Sequence, residues 1–359
     1  MKNSGVLSDT QIHSLIAKGV ISSISPIPSD NIQPASLDLR LGETAYRMPA
    51  SVLTGKGKTV SEIIDDFSMH KMSLKDGAAL EKNCVYIVPL MESIDLPENI
   101  NAVANAKSTT GRLDVFTRLI TDNGVEFDRV ANGYKGPLFA EVSPRSFSVL
   151  VRPGMRLNQI RFRMGKVELD DDELRTLHAQ TPLVNTVPHI EGGMGFSVDL
   201  SSAIGEIVGY RAKPHTGLID MDLINHYDPK QFWEPVYAEK ERIILDPGAF
   251  YILASREEVR VPANLACEMA PYLAMVGEFR VHYAGFFDPG FGIKDQGGQG
   301  ARGVLEVRCH EAPFVLNHGQ RVGRLVYERM SQEPQTQYGT SIGSNYQGQS
   351  LKLAKQFKS

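Results

Sequence analysis

The chain has 359 residues, a hydrophobic fraction of 42% and a formal net charge of −4. That length suits about two domains, and the missing basic excess excludes a nucleic-acid polymer as partner, because nothing is present to neutralise its phosphates. Three scattered cysteines, Cys84, Cys267 and Cys309, offer neither a disulfide framework nor a C-x-x-C metal site. They read as reduced thiols. The opening residues lack an apolar signal core and no run reaches 18 apolar residues. The expectation is therefore a soluble, cytoplasmic protein that makes no use of a membrane.

In chain order, Ser8-Asp9-Thr10-Gln11 opens as a capping box, and Ile12, Leu15 and Ile16 then give one apolar helical face. A short alternating strand, Ser36-Leu37-Asp38-Leu39, precedes the pair Tyr46-Arg47. Beyond it the pattern is β, with Val-, Ile-, Tyr- and Phe-rich runs parted by Gly, Pro, Asn and Asp turns. Strands are expected at 138–142, 147–151, 160–162, 303–308 and 324–327. Near Gly165-Lys166 the pattern starts again. Asp170-Asp171-Asp172-Glu173 is a second capping box ahead of Leu174 and Leu177. Ser197-Val198-Asp199-Leu200 is a second alternating strand, and Tyr210-Arg211 a second Tyr-Arg pair.

The correspondence then holds a fixed offset: Tyr86-Ile87 answers to Tyr251-Ile252, Pro97 to Pro262, Glu141 to Glu306 and Gly154 to Gly319, each 165 residues on. A period that long fits two copies of one domain and is far too long for a solenoid. The expected organisation is a first domain at 1–165, a second at 166–331, and a polar, Gly- and Ser-rich tail at 332–359. Such a tail is disordered unless it closes over a ligand. The fold class is mainly β, a barrel or sandwich in each copy, with short helices.

Three segments carry chemistry. In Ala106-Lys107-Ser108-Thr109-Thr110-Gly111-Arg112, hydroxyls stand beside two cations, a set that suits phosphate oxygens; a polar helix cap explains it equally well. Ser108 and Arg112, four apart, share one side of a helical turn. Glu141 and Glu306 each sit inside an apolar strand, either on a solvated face or in a partly dry site fit for a general base. Ala284 to Phe291, with Asp288-Pro289-Gly290, predicts a tight hairpin. Its Phe286 and Phe291 either hold a flat base or pack on each other. The first half has only a stretched version, from Phe127 to Tyr134.

These residues carry a resemblance. Ile32-Gln33-Pro34-Ala35-Ser36-Leu37-Asp38-Leu39-Arg40-Leu41-Gly42 resembles the opening signature of the dCTP deaminases of the trimeric dUTPase-like superfamily. Lys107 to Arg112 is similar to their phosphate and catalytic motif, and Arg152-Pro153-Gly154-Met155 to a later turn. The segment ending Asp288-Pro289-Gly290-Phe291 resembles their base-binding hairpin; Tyr338, Tyr346, Gln347, Gly348 and Gln349 resemble their lid.

The resemblance implies two tandem dUTPase-like (β-clip) domains. It implies a water-activating group of Ser108, Arg112 and a strand Glu, with Lys107 and Thr109 beside them. Ala284, Phe286 and Asp288 would bind the base, and Tyr338, Tyr346 and Gln349 would close the lid. Two departures stand out. The second half has Ala270-Pro271-Tyr272-Leu273-Ala274-Met275 where the Ser and Arg belong, and the first lacks an intact hairpin and a lid. Asn345 also replaces a lid Lys. The incomplete halves are complementary, so one composite site is expected, per chain or per contacting pair of chains. Glu306 is its favoured base, and Glu141 the alternative.

The implied reaction is hydrolytic deamination of dCTP to dUTP and ammonia. With no C-x-x-C ligand pair for zinc, a carboxylate must activate the water, and Mg²⁺ arrives only with the triphosphate. The resemblance further implies a homo-oligomer, a trimer in the family pattern, and dTTP as an inhibitor. Two other readings stay open. One is a dUTP diphosphatase, or a bifunctional enzyme yielding dUMP, that uses Asp288; the other is a nucleotide-binding regulator without turnover.

Overall fold

β-branched and aromatic runs make strands, largely antiparallel, the dominant regular element of the described residues, and the helices are short. The computed structural model describes residues 4–202, 205–271, 279–281, 285–293, 300–336 and 351–358. In the first half, one six-stranded sheet contains Ser36–Arg40, Ile100–Ala106 and Arg156–Met164. A second contains Thr44–Met48, Val85–Asp95, Val115–Ile120 and Lys135–Pro144. Leu37, Ile160 and Phe162 from the first sheet meet Val88, Ala140 and Val142 from the second in one buried core. The second half repeats the scheme. The sheet with Leu265–Pro271 and Arg321–Arg329 lies over that with Ile207–Ala212, Phe250–Val259 and Ala301–Cys309, around Phe196, Leu253, Leu305 and Leu325.

Strand registers match across the halves. Glu141 pairs with Ile87 and Val142 with Tyr86; Glu306 pairs with Ile252 and Val307 with Tyr251. Arg47 lies opposite Tyr86 and Arg211 opposite Tyr251. A one-residue slip would turn every side chain to the other face, so shared register means shared orientation of the two glutamates.

Both foreseen capping boxes form: Ser8 N donates to Gln11 Oε1 at 2.9 Å and Glu173 N to Asp170 Oδ1 at 3.0 Å. A third, unforeseen, opens the helix Val60–Phe67, where Glu62 N donates to Thr59 Oγ1 at 3.2 Å. Three expectations fail. The strand foreseen at 147–151 begins only at Val149. Ser197 ends its strand at a register shift, leaving Val198 a single bridge to Ser255. And among the described residues Phe286–Phe287 does not pair with the chain that follows the Asp-Pro-Gly turn. It is an edge strand on Leu265–Pro271, and the turn after it is held by backbone bonds between Val261 and both Gly290 and Phe291 at 2.9 Å.

The described parts of the tail are fixed, against the expectation from composition. Gln335 N and Thr336 N donate to the Asp9 carboxylate at 3.0 and 2.8 Å. Phe357 packs among Tyr227, Phe232 and Trp233, with ring centroids 5.5–6.3 Å away. A polar average conceals these apolar anchors. Among the described residues no helix is long and apolar enough to cross a membrane.

Candidate active site

The strand Ile100–Ala106 leads directly into the short helix Ser108–Arg112, with Lys107 as its extended N-cap. Asp114 then takes the left-handed conformation, φ 55°, which Asp tolerates, and turns the chain into Val115–Ile120. The helix borders a cavity of about 730 Å³. Ser108, Thr109 and Arg112 line it beside Arg152-Pro153-Gly154-Met155. Phe286, Asp288 and Glu306 of the second half line it too, as do Lys355 and Gln356 of the tail. Residues from both halves of a single chain thus enclose one space.

Glu306 is buried, 5% exposed. Burial pushes its carboxyl up to about 8, against the opposing pull of Arg112. Among the described residues no basic group forms an ion pair with it. Arg112 is itself buried and donates to the Lys352 carbonyl at 3.0 Å, tying helix to tail. Lys107 forms an ion pair with Asp38 of the signature strand. Arg152 is gripped by Asp220 and Asp222, each at 2.8 Å.

Phe286 and Asp288 are positioned from the other half. The Arg161 guanidinium lies 4.0 Å from the Phe286 ring centre, donates to Asp288 Oδ1 at 3.4 Å and to Glu328 Oε2 at 2.7 Å. Burial raises the Asp288 carboxyl, and Arg161 opposes that rise. Phe291 borders the same cavity. It packs edge-on against Phe287 at 4.9 Å.

Glu141 lies elsewhere. Arg118, its direct cross-strand neighbour, forms an ion pair with it, and Ser51 Oγ and Val52 N donate to its two oxygens at 3.2 Å. It does not line the cavity.

Sequence comparisons converge on one family. Models of the 2'-deoxycytidine 5'-triphosphate deaminase (DCD) N-terminal and C-terminal domains match residues 3–166 and 170–357. The chain belongs to the dCTP deaminase family. It is 52% identical to a solved 2'-deoxycytidine 5'-triphosphate deaminase from Agrobacterium tumefaciens, with a TM-score of 0.87 over 91% of this chain and 99% of that one. Curated relatives are named "dCTP deaminase, dUMP-forming". The protein from Corynebacterium kroppenstedtii is 35% identical over 34% of this chain and 67% of its own length. That from a Sulfurihydrogenibium strain is 25% identical over 44% and 82%.

Within this family frame, the cavity gathers Lys107, Ser108, Thr109, Arg112, Phe286, Asp288 and Glu306. Ala284, Tyr338, Tyr346 and Gln349 lie outside the described residues. The sequence reading missed Arg161 and Lys355. Arg161 had a visible signal, a charge between Ile160 and Phe162 in an expected strand. Lys355 had none, being one of several lysines in a polar tail. Burial lowers its pKa, with Lys107 and Arg156 adding repulsion.

Proposed function

We propose that the chain deaminates dCTP by a metal-independent hydrolysis in which Glu306 is the general base. One observation carries the reading: Ser108 and Arg112 from the first half and Glu306 from the second line the same cavity. In the proposed sequence, water lies between the Ser108–Arg112 turn and Glu306. The carboxylate takes a proton from it, and the oxygen bonds to C4 of cytosine. Glu306 then passes that proton to the exocyclic amine, the C4–N bond breaks, and ammonia leaves with dUTP. General acid–base help of this kind is worth roughly 10²–10⁴-fold, and a base that titrates near neutrality suits it. Arg112 supports the ionised form.

Phe286 faces the base, and Lys107, Arg156 and Lys355 face the triphosphate, which brings its own Mg²⁺. Lys355 offers the charge that Asn345 does not. The matched registers and the constant offset support a chain built from two copies of one domain, 1–165 and 166–331, closed by the tail 332–359. Association of such chains into a homo-oligomer, a trimer by family pattern, belongs to the same reading.

The names of the curated relatives favour a second reading of the product, in which dUTP goes on to dUMP. Incubating the chain with dCTP and quantifying ammonia, pyrophosphate, dUTP and dUMP tests both. Ammonia with dUTP alone supports the first reading, and one pyrophosphate per ammonia the second. Nucleotide binding without ammonia would overturn both.

A further inference from the structure

The position of Glu306 needs a cause, because it rises from a strand of one half to meet a helix of the other. Arg308 lies two residues further along the strand Ala301–Cys309. Side chains two apart leave a strand on the same face, about 6.6–6.8 Å from each other. Glu306 and Arg308 therefore both turn toward the first half. On the opposite side, Asp114 lies two residues beyond Arg112. Arg308 Nη2 forms an ion pair with the Asp114 carboxylate, and the pair is sealed, Asp114 being 1% exposed.

The surroundings fix both ends. Ser146 Oγ donates to Asp114 Oδ2 at 2.6 Å and receives Arg308 Nη2 at 3.3 Å. Arg145 N donates to the Asp114 carbonyl at 2.8 Å. The other nitrogen of Arg308 is held by the Gly248 carbonyl. Asp114 is also close enough to add to the upward pressure on Glu306.

We propose that Asp114 and Arg308 are positioning residues, an ionic latch between the halves that sets the spacing of Glu306 from Ser108 and Arg112. The inference rests on Glu306 as the base. Other ion pairs also cross between the halves, among them Arg152 to Asp220 and Asp222, Arg161 to Asp288 and Glu328, and Arg163 to Glu268 and Glu328. Among the described residues, only the Asp114–Arg308 pair is two residues from a proposed reacting group on both sides. A displacement of about 1 Å at such a distance costs up to roughly 10²-fold in rate.

The test measures steady-state dCTP turnover, folded fraction and Tm for Arg308→Met, Arg308→Lys, Asp114→Asn and Ser146→Ala, beside Glu306→Gln. Arg308→Met and Asp114→Asn are expected to lower kcat roughly 10–100-fold while KM moves less than about threefold, the mark of an interaction felt in the transition state alone. Arg308→Lys should recover most of the loss, and Ser146→Ala should fall between. A purely structural pair would instead lower Tm and folded yield and leave kcat per folded molecule intact. That outcome, or a loss confined to KM, overturns the proposal. If Arg308→Met does not fold, unchanged kcat in both Ser146→Ala and Asp114→Asn overturns it. Full activity in Glu306→Gln removes the base reading itself and the latch with it. An inactive Glu306→Gln beside a fully active Arg308→Met removes the latch alone.

Discussion

Glu141 and Glu306 sit in the same register of equivalent strands, opposite Ile87 and Ile252, and their surroundings have diverged. Around Glu141, Arg118 supplies a counter-charge and Ser51 and Val52 supply donors. The helix Val60–Phe67 seals the region by burying Val60, Ile63 and Ile64 against Ile87 and Phe139. Around Glu306 no such plug exists among the described residues, and the carboxyl faces the cavity. One glutamate is satisfied, the other is held ready. A carboxylate whose bonds are all met by protein has nothing left with which to activate a water.

The sharpest break in this comparison is between activity and stability. Glu306→Gln is expected to lower kcat by roughly 10²–10⁴-fold, whereas Glu141→Gln should keep kcat within about threefold. If a dCTP turnover assay reverses that order, the comparison is wrong. The pH dependence sharpens it. The Glu306 carboxyl is raised from 4.5 to about 8, so kcat/KM should climb with pH through about 8, and Glu306→Gln should lose that limb. For stability, protonated Glu306 costs little below pH 4.5, and its ionisation works against folding increasingly up to about 8. Glu306→Gln should therefore raise Tm at pH 9 and leave it unchanged at pH 4.

Glu141→Gln should act in the opposite sense. It leaves Arg118 without its anion, a loss of about 1–3 kcal/mol, which thermal unfolding at pH 7 would register as a lower Tm. Arg161→Lys comes next. A single ammonium cannot stack on Phe286 and bond Glu328 and Asp288 together as the guanidinium does. KM for dCTP should rise about tenfold, equivalent to about 1.4 kcal/mol, with kcat little altered. Titration of substrate in the assay checks it. The smallest effect belongs to the plug: Thr59→Ala removes a helix cap worth about 1 kcal/mol and should lower Tm without changing turnover.

Much of this was legible in the chain. The offset of 165 residues found the paired strands, because inward-facing positions in a repeated sheet tolerate few residue types. Ser108, Arg112 and Glu306 were legible as halves of one constellation. The complementary losses of the two halves favoured Glu306 over Glu141, but the donors that satisfy Glu141 were hidden, since Ser51 and Val52 lie some 90 residues upstream. Local pattern carries no such distance. The Asp-Pro-Gly turn was read correctly as a turn and wrongly as a hairpin. Its strand pairs with Leu265–Pro271 instead, which is a long-range choice. The tail misled by its average, because Ala354, Gln356 and Phe357 are buried within residues 351–358 and Leu351 and Leu353 pack against the core.

Both walls of the cavity belong to one polypeptide, so bringing them together is a unimolecular event. Dilution cannot part the serine from the glutamate. In a mixture of sound and damaged chains, output in proportion to the sound fraction is the expected mark of a site closed within one chain, and a higher power would mark one shared between chains.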